Sequence, residues 1–229
     1  MALYAIGDLH LCLGAPKPMD IFGGAWTGYM EKLRDGVSVI GPEDTTVLLG
    51  DLSWALDLEG ATADFSWIDA IPGRKIILKG NHDYWWSTAA KFYKFCDACG
   101  FSNQWILNNN HYIYENTAIC GTRGWFFEEQ RSGEHDEKVF KRELARLEAS
   151  LRSAGDLEKI VFLHYPPKYK GYECSEILSL FEKYDVRRCF YGHLHGASHG
   201  LALEGVWNGV EYRLVSADRL GFKPFTVIS

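Results

Sequence analysis

Five runs of β-type residues along this chain each end beside side chains that can bind a metal or move a proton. The runs cover residues 3–6, 45–49, 75–78, 159–163 and 188–191. They lead into Asp8-Leu9-His10, Gly50-Asp51, Gly80-Asn81-His82-Asp83, His164 and Gly192-His193-Leu194-His195. Helical patterns separate the runs, the alternation of layered α/β packing. Residues 45–49, two threonines followed by Val-Leu-Leu, carry no charge, which suits a strand buried on both faces. All five islands are therefore expected where a strand ends and a loop begins.

The rest of the chain fits that frame. Helices are expected over 26–39 (with Gly36 a weak point), 61–71, 87–99 with Ser87 as N-cap, and 135–154. In the last of these Phe140, Leu144, Leu147 and Leu151 share a face, acidic residues crowd the first turn and Gly155 follows the end. That helix reads as scaffold. Residues 14–24 hold two Pro and three Gly and form a loop. Short strands are expected over 105–107, 111–114 and 117–120, with Asn108-Asn109-Asn110 as a turn. Antiparallel strands over 201–206, 211–215 and 225–228 close the chain.

The chain is 47% hydrophobic with 13 Phe, 12 Tyr and 8 Trp, enough for one large core. With no repeat or linker, residues 1–229 are expected to form a single domain. No signal peptide or membrane span is legible, and six cysteines without framework spacing suit a reducing cytoplasm. Cys96-Asp97-Ala98-Cys99 is a lone C-x-x-C. Zinc there would need two further ligands, so incidental cysteines are favoured over a redox or zinc role. The formal charge of −6 argues against non-specific nucleic-acid binding. No heptad run or apolar surface stripe indicates an oligomeric state.

Asp8, Asp51, Asn81, His10, His164, His193 and His195 make a nitrogen–oxygen donor set without thiolate. It suits manganese, iron or zinc better than a soft metal. Seven donors exceed one site with an open position and suit two ions sharing a carboxylate. Taken singly, each island has an ordinary explanation: Asp8 or Asp51 as a cap or turn residue, Gly-Asn-His-Asp as a turn, His164 as a loop histidine. Their joint occurrence in this order points to a metal centre. His111, His135 and His199 remain as ordinary surface or turn residues.

The order D-x-H, G-D, G-N-H-D, H, G-H-x-H resembles the calcineurin-like metallophosphoesterases, over positions 8 to 195. The resemblance implies two mixed β-sheets flanked by helices in a four-layer α/β sandwich, with metals at the strand ends. It implies two divalent ions: Asp8, His10 and His195 on one, Asn81, His164 and His193 on the other, and Asp51 bridging. His82 takes the catalytic histidine position, with Asp83 orienting its ring. Two ions about 3.5–4 Å apart would turn a shared water into hydroxide for in-line attack on phosphorus. His82 would assist the leaving group, a proton transfer typically worth ~10²–10⁴ in rate.

The chain departs from two branches of that family. Gly50-Asp51 continues as Leu-Ser-Trp-Ala, without the arginine of the protein serine/threonine phosphatases. Trp54 stands where purple acid phosphatases place a tyrosine ligand. A compact bacterial-type member acting on a small phosphate ester is the expectation. The alternatives are a nuclease of the same superfamily and a catalytically silent scaffold. Trp54, Trp85, Trp86 and Trp125 are candidates for an aromatic wall around the substrate, or else for core packing. Arg123 is a candidate phosphate contact or a surface salt bridge, and Lys168 and Lys170 are weaker candidates.

Overall fold

The computed structural model describes residues 1–125 and 134–229. Its first sheet contains β1 (Leu3–Ile6), β2 (Thr45–Leu48), β3 (Arg74–Ile77) and β4 (Gln104–Ile106). These run parallel, and β13 (Phe225–Ile228) adds antiparallel to β1. The second sheet has a parallel centre of β6 (Thr117–Thr122), β7 (Glu158–Leu163), β10 (Arg188–Tyr191) and β12 (Val210–Leu214). Its antiparallel edges are β5 (His111–Tyr114) and β11 (Gly205–Trp207). Two further short strands, β8 (Lys168–Tyr169) and β9 (Tyr172–Glu173), pair as a separate hairpin.

The period-two alternation of each strand sets the layers. Ala5, Val47, Ile76, Ile119, Ile160, Phe162 and Phe190 meet in a core shared between the sheets. Their neighbours Ile6, Leu48 and Ile77 face the other way, onto α1 (Tyr29–Val37), α2 (Thr62–Ala70) and α3 (Ala89–Cys99) through Leu33, Phe65 and Phe92. Across the second sheet Cys120, Val161 and Tyr191 pack on α4 (Glu134–Ser153) and α5 (Ser175–Lys183) through Leu147, Leu151, Ile177 and Phe181. The result is two mixed sheets flanked by helices, the calcineurin-like sandwich.

Several local expectations change. The helix expected over 26–39 starts only at Tyr29, because Gly28 is left-handed (φ 63°) and separates it from a 3-10 turn at Gly24–Trp26. Gly36 is a close-approach position: a Cβ there would lie 2.0 Å from the Phe222 carbonyl oxygen. The N-cap of α3 is Thr88 rather than Ser87, its hydroxyl accepting from Lys91 N–H at 3.2 Å. Residues 201–206 are mostly not strand: a 3-10 turn at Gly196–Leu201 precedes β11. β12 is antiparallel to β11 but parallel to β10. Helix α5 was not expected, although Ile177 and Phe181 have the i, i+4 spacing of a buried face. The side chain of His135 lies outside the described residues.

Candidate metal centre

All seven expected donors follow the C-terminal ends of parallel strands, and the two sheets bring those ends together. β1 leads to Asp8 and His10, β2 to Asp51, β3 to Asn81, β7 to His164, and β10 to His193 and His195. Backbone hydrogen bonds lock the loops side by side. Asp8 N–H donates to the Gly50 carbonyl at 2.8 Å, His10 N–H to that of Asp51 at 2.9 Å, and Gly192 N–H to that of His164 at 3.1 Å. Asp8, His10, Asp51 and His193 all have positive φ (60°, 46°, 50° and 73°), half of the eight described non-glycine residues that do. For non-glycine residues this conformation is uncommon and strained, and it concentrates where function holds the backbone. Two glycines permit the approach: a Cβ on Gly80 would lie 2.1 Å from Asp51 Oδ1, and one on Gly192 would lie 2.4 Å from Asp8 Oδ2.

The donors form two adjoining sets. In one, His195 Nε2 lies 3.5 Å from Asp8 Oδ1 and 3.4 Å from His10 Nε2. In the other, Asn81 Oδ1 lies 2.7 Å from His164 Nε2 and 3.0 Å from His193 Nδ1. Asp51 Oδ2 stands between them, 4.0 Å from His10 Nε2 and 3.6 Å from His164 Nε2. Asp8 also belongs to a second possible ion-holding group, with Asp51 and His164. Asp8, His10, Asp51 and His164 are all buried.

Two histidines are oriented from behind. His164 Nδ1 lies 2.9 Å from the Leu49 carbonyl, to which only a protonated Nδ1 can donate. A neutral ring then presents the Nε2 lone pair to Asn81 Oδ1, itself an acceptor. Two acceptors at 2.7 Å repel unless a proton or a cation lies between them, so this arrangement fits a bound cation. His195 Nδ1 is held by Asp218 Oδ1 at 3.0 Å, the carboxylate–histidine arrangement common behind metals. Asp218 was missed in the sequence, yet it obeys the same rule, lying just past β12. His199 Nε2 is 3.2 Å from the other Asp218 oxygen, and His111 Nδ1 is 2.8 Å from Ser153 Oγ.

Burial and charge separate the titration of these groups. Burial lowers His10 and His193 to about 3, keeping both neutral and able to ligate. Burial also opposes charge on His195, but Asp8 and Asp218 outweigh it and push that imidazole up to about 10. Asp8 is likewise opposed by burial, yet His195, His164 and His10 hold it well below the carboxylate range. Burial raises Asp51 to about 7.

His82 and Asp83 divide differently from expectation. The His82 ring packs 4.7 Å from the Trp54 ring, with Nδ1 3.2 Å from Tyr84 Oη. Its backbone N–H donates to Asp51 Oδ1 at 2.7 Å, tying it to the donor cluster. The hydrogen bonds of Asp83 go elsewhere, so its expected role in orienting the ring is corrected. The buried carboxylate accepts from Asp51, Leu52 and Gly80 N–H at 2.7–2.8 Å, Trp85 Nε1–H at 2.8 Å and Ser53 N–H at 3.4 Å. It is the anchor of the two loops that carry Asp51 and Asn81.

A cavity of about 610 Å³ opens over His10, Asp51, His82, His193 and His195. Of the four tryptophans singled out, only Trp54 lines it, stacked on His10 with ring centroids 4.8 Å apart. Trp26, not foreseen, lines it as well, 5.7 Å from the His10 ring and 5.8 Å from that of His195. Trp85 is core. Trp86 and Arg123 line a different cavity beside α4, and Trp125 packs on Tyr165. The Arg123 carbonyl accepts the His164 N–H, but its guanidinium turns to Glu143 at 3.5 Å and to the Trp125 ring. Lys168 pairs with Glu173.

An α/β sandwich whose strand-end loops converge imidazole, carboxylate and carboxamide donors is the scaffold of a metal-dependent phosphoester hydrolase. The chain belongs to the calcineurin-like phosphoesterase family, whose sequence model matches residues 1–197. No curated protein matches it. Among solved structures it is similar to a protein of unknown function, AQ665 of Aquifex aeolicus, at 18% identity and a TM-score of 0.55, covering 98% of this chain and 95% of that one. TT1561 of Thermus thermophilus is similar at 15% identity and a TM-score of 0.57, covering 99% and 97%. The phosphopantetheinyl hydrolase PptH of Mycobacterium tuberculosis is similar at 15% identity and 0.54, covering 94% and 88%. At these identities the likeness is one of fold. Among the described residues no helix is long and apolar enough to cross a membrane.

Proposed function

We propose that the chain hydrolyses a small phosphomonoester or phosphodiester with two divalent ions, manganese, iron or zinc. Asp8, His10 and His195 would hold one ion and Asn81, His164 and His193 the other, with Asp51 between them. The observation that carries this reading is the outward anchoring of His164 on Leu49 and His195 on Asp218, which turns both Nε2 atoms inward. Bound ions of this kind supply Lewis acidity and a nucleophilic water near neutral pH.

The chain's own residues do the rest. Asp83 fixes the two loops, and Asp51 holds the His82 backbone so that its imidazole faces the cavity. Burial lowers the His82 pKa, which makes its imidazolium a stronger acid toward a leaving alkoxide but reduces the protonated fraction at neutral pH. Turnover of an alkyl ester is therefore expected to decline as pH rises. Trp26 and Trp54 shield the donor rings from bulk water.

The core shared by both sheets supports reading residues 1–229 as one domain. The six unpaired cysteines support a cytoplasmic location. The nuclease reading gains no support from the cavity, because none of its described lining residues is Lys or Arg. Metal analysis of the purified protein, followed by turnover of p-nitrophenyl phosphate and its bis-ester with manganese, tests the proposal. Activity lost to a chelator and restored by manganese is expected. Chelator-insensitive turnover overturns the metal-dependent reading, and turnover of neither ester overturns it in favour of the silent scaffold.

A further inference from the structure

The cavity over the donor cluster has two unlike halves. One is made of imidazole and carboxylate. The other is apolar and comes mainly from the 19–26 segment: Met19, Phe22, Ala25 and Trp26, with Trp54 beside Met19, its Nε1–H donating to Met19 Sδ at 3.3 Å. The volume, about 610 Å³, falls within the range of pockets that enclose a whole small molecule. A phosphoryl group on the donor cluster would fill only part of it.

Three observations give the apolar half a ligand. First, it is continuous with the donors, since Trp26 touches both His10 and His195 and Trp54 touches His10 and His82. Second, Phe22, which lines the cavity, is 61% exposed at the end of the 3-10 turn Met19–Phe22, so a large apolar side chain of the cavity wall stands in water. Isolated exposed apolar residues are ordinary, but one that continues the apolar wall of a pocket offers hydrophobic area to a ligand. Third, no described lining residue carries a Lys or Arg charge. The nearby ammonium of Lys17 is placed over the Trp54 ring, 3.1 Å from its centroid. A leaving group with further phosphates could pair there only by drawing Lys17 off that ring.

Resting on the phosphoesterase reading, we infer that the substrate carries its phosphate on an uncharged, apolar leaving group, seated against Phe22, Met19 and Trp26. Trp54 is already engaged by His10 and Lys17 and serves as a wall. Hydrolysis adds water across the P–O bond: phosphorus keeps the water oxygen, and the apolar alcohol leaves with a proton. The juxtaposition also separates two tasks, charge being matched at the donors and identity being read by hydrophobic area.

The test uses the full chain loaded with manganese and a series of linear alkylphosphonates from methyl to octyl, which cannot be hydrolysed at their P–C bond. Calorimetric Kd should fall about threefold to fourfold per methylene over the early members, the increment for burying a CH₂. Phe22→Ser should flatten that dependence for the longer members. Val206→Ser, which alters a 77% exposed residue on β11, should leave it unchanged. A Kd independent of chain length, or a dependence unmoved by both Phe22→Ser and Trp26→Ala, overturns the inference even if phosphate esters are hydrolysed. Chain-length-dependent binding without hydrolysis of any ester would instead overturn the phosphoesterase reading and leave the apolar pocket standing.

Discussion

Replacing Asp83 by asparagine removes one oxygen from a buried carboxylate that receives five N–H groups. Asp83 Oδ2 accepts from Asp51 N–H at 2.8 Å and Gly80 N–H at 2.7 Å. Oδ1 accepts from Leu52 N–H and Trp85 Nε1–H, both at 2.8 Å, and from Ser53 N–H at 3.4 Å. The amide of Asp83→Asn can satisfy only one of these groups, and its own NH₂ must face the donors of the other. At least two buried N–H groups lose their acceptor, at about 1–3 kcal/mol each, so the loss is roughly 2–6 kcal/mol. For a chain of this size that lowers Tm by roughly 4–24 °C. An amide oxygen that keeps the larger Oδ1 group frees the amides of Asp51 and Gly80, so manganese affinity should also fall, by about 10–100-fold, as when other supports behind a metal are removed. Calorimetric unfolding of the metal-stripped variant and a manganese titration read the two effects. If Asp83 acted only by orienting His82, turnover would drop while Tm and manganese affinity stayed put. That result would refute the anchoring argument.

Other perturbations probe neighbouring parts of the site. Loading an ion on His195 must expel the proton that Asp8 and Asp218 hold there to about pH 10, so manganese affinity should rise about tenfold per pH unit below that value. Below pH 7 Asp51, raised to about 7, adds a second proton, whereas His10 and His193 add none. Titrations in buffers of different ionisation enthalpy count these protons; none released at pH 8 would contradict the assignment. His82→Ala keeps the backbone N–H that binds Asp51, so it should retain its manganese and lose about 10²–10⁴ in kcat on an alkyl ester. Full turnover would remove His82 from the chemistry. Gly192→Ala places a Cβ 2.4 Å from Asp8 Oδ2 and should displace that carboxylate, lowering manganese affinity at least about tenfold. Unchanged manganese binding would show that the close approach is not required.

The parts of the fold that were legible in the sequence are those written in local periodicity. Residues 45–49 and 159–163 read as buried strands because β-branched and apolar residues fill all but Lys159, and β2 and β7 are buried along almost their whole length. The donor islands were legible because each strand ends where its chemistry starts. Register and partner choice were not. β12 alternates buried and open positions like an edge strand, yet it lies inside the sheet, parallel to β10. Side-chain direction at a strand end was equally hidden. Arg123 and His164 follow adjacent parallel strands, but one guanidinium turns toward α4 and the other side chain toward the donors. Asp218 was open to the same strand-end logic that found Asp8. The Phe22 and Trp26 surface was not, since a loop rich in Pro and Gly discloses composition but not where its side chains point.

Backbone strain at the donor positions leads to a further prediction, because it can be isolated from the chemistry. Asp51 is left-handed at φ 50°, beside Gly50 at φ 84°. Asp51→Ala and Asp51→Gly both delete the carboxylate, including its hydrogen bond with His82 N–H, so that loss is common to the two variants. They differ in the backbone alone. Alanine bears a left-handed penalty of roughly 1–2 kcal/mol, while glycine is free of it but has about 0.5–1 kcal/mol more unfolded-chain entropy to overcome. In metal-free protein the glycine variant should therefore be the more stable, by up to about 1.5 kcal/mol, in denaturant unfolding at matched m-values. If the alanine variant is the more stable, the loop does not hold Asp51 under strain. The geometry that aims its carboxylate between the two donor sets would then be a relaxed turn rather than one imposed by Asp83 and Gly80.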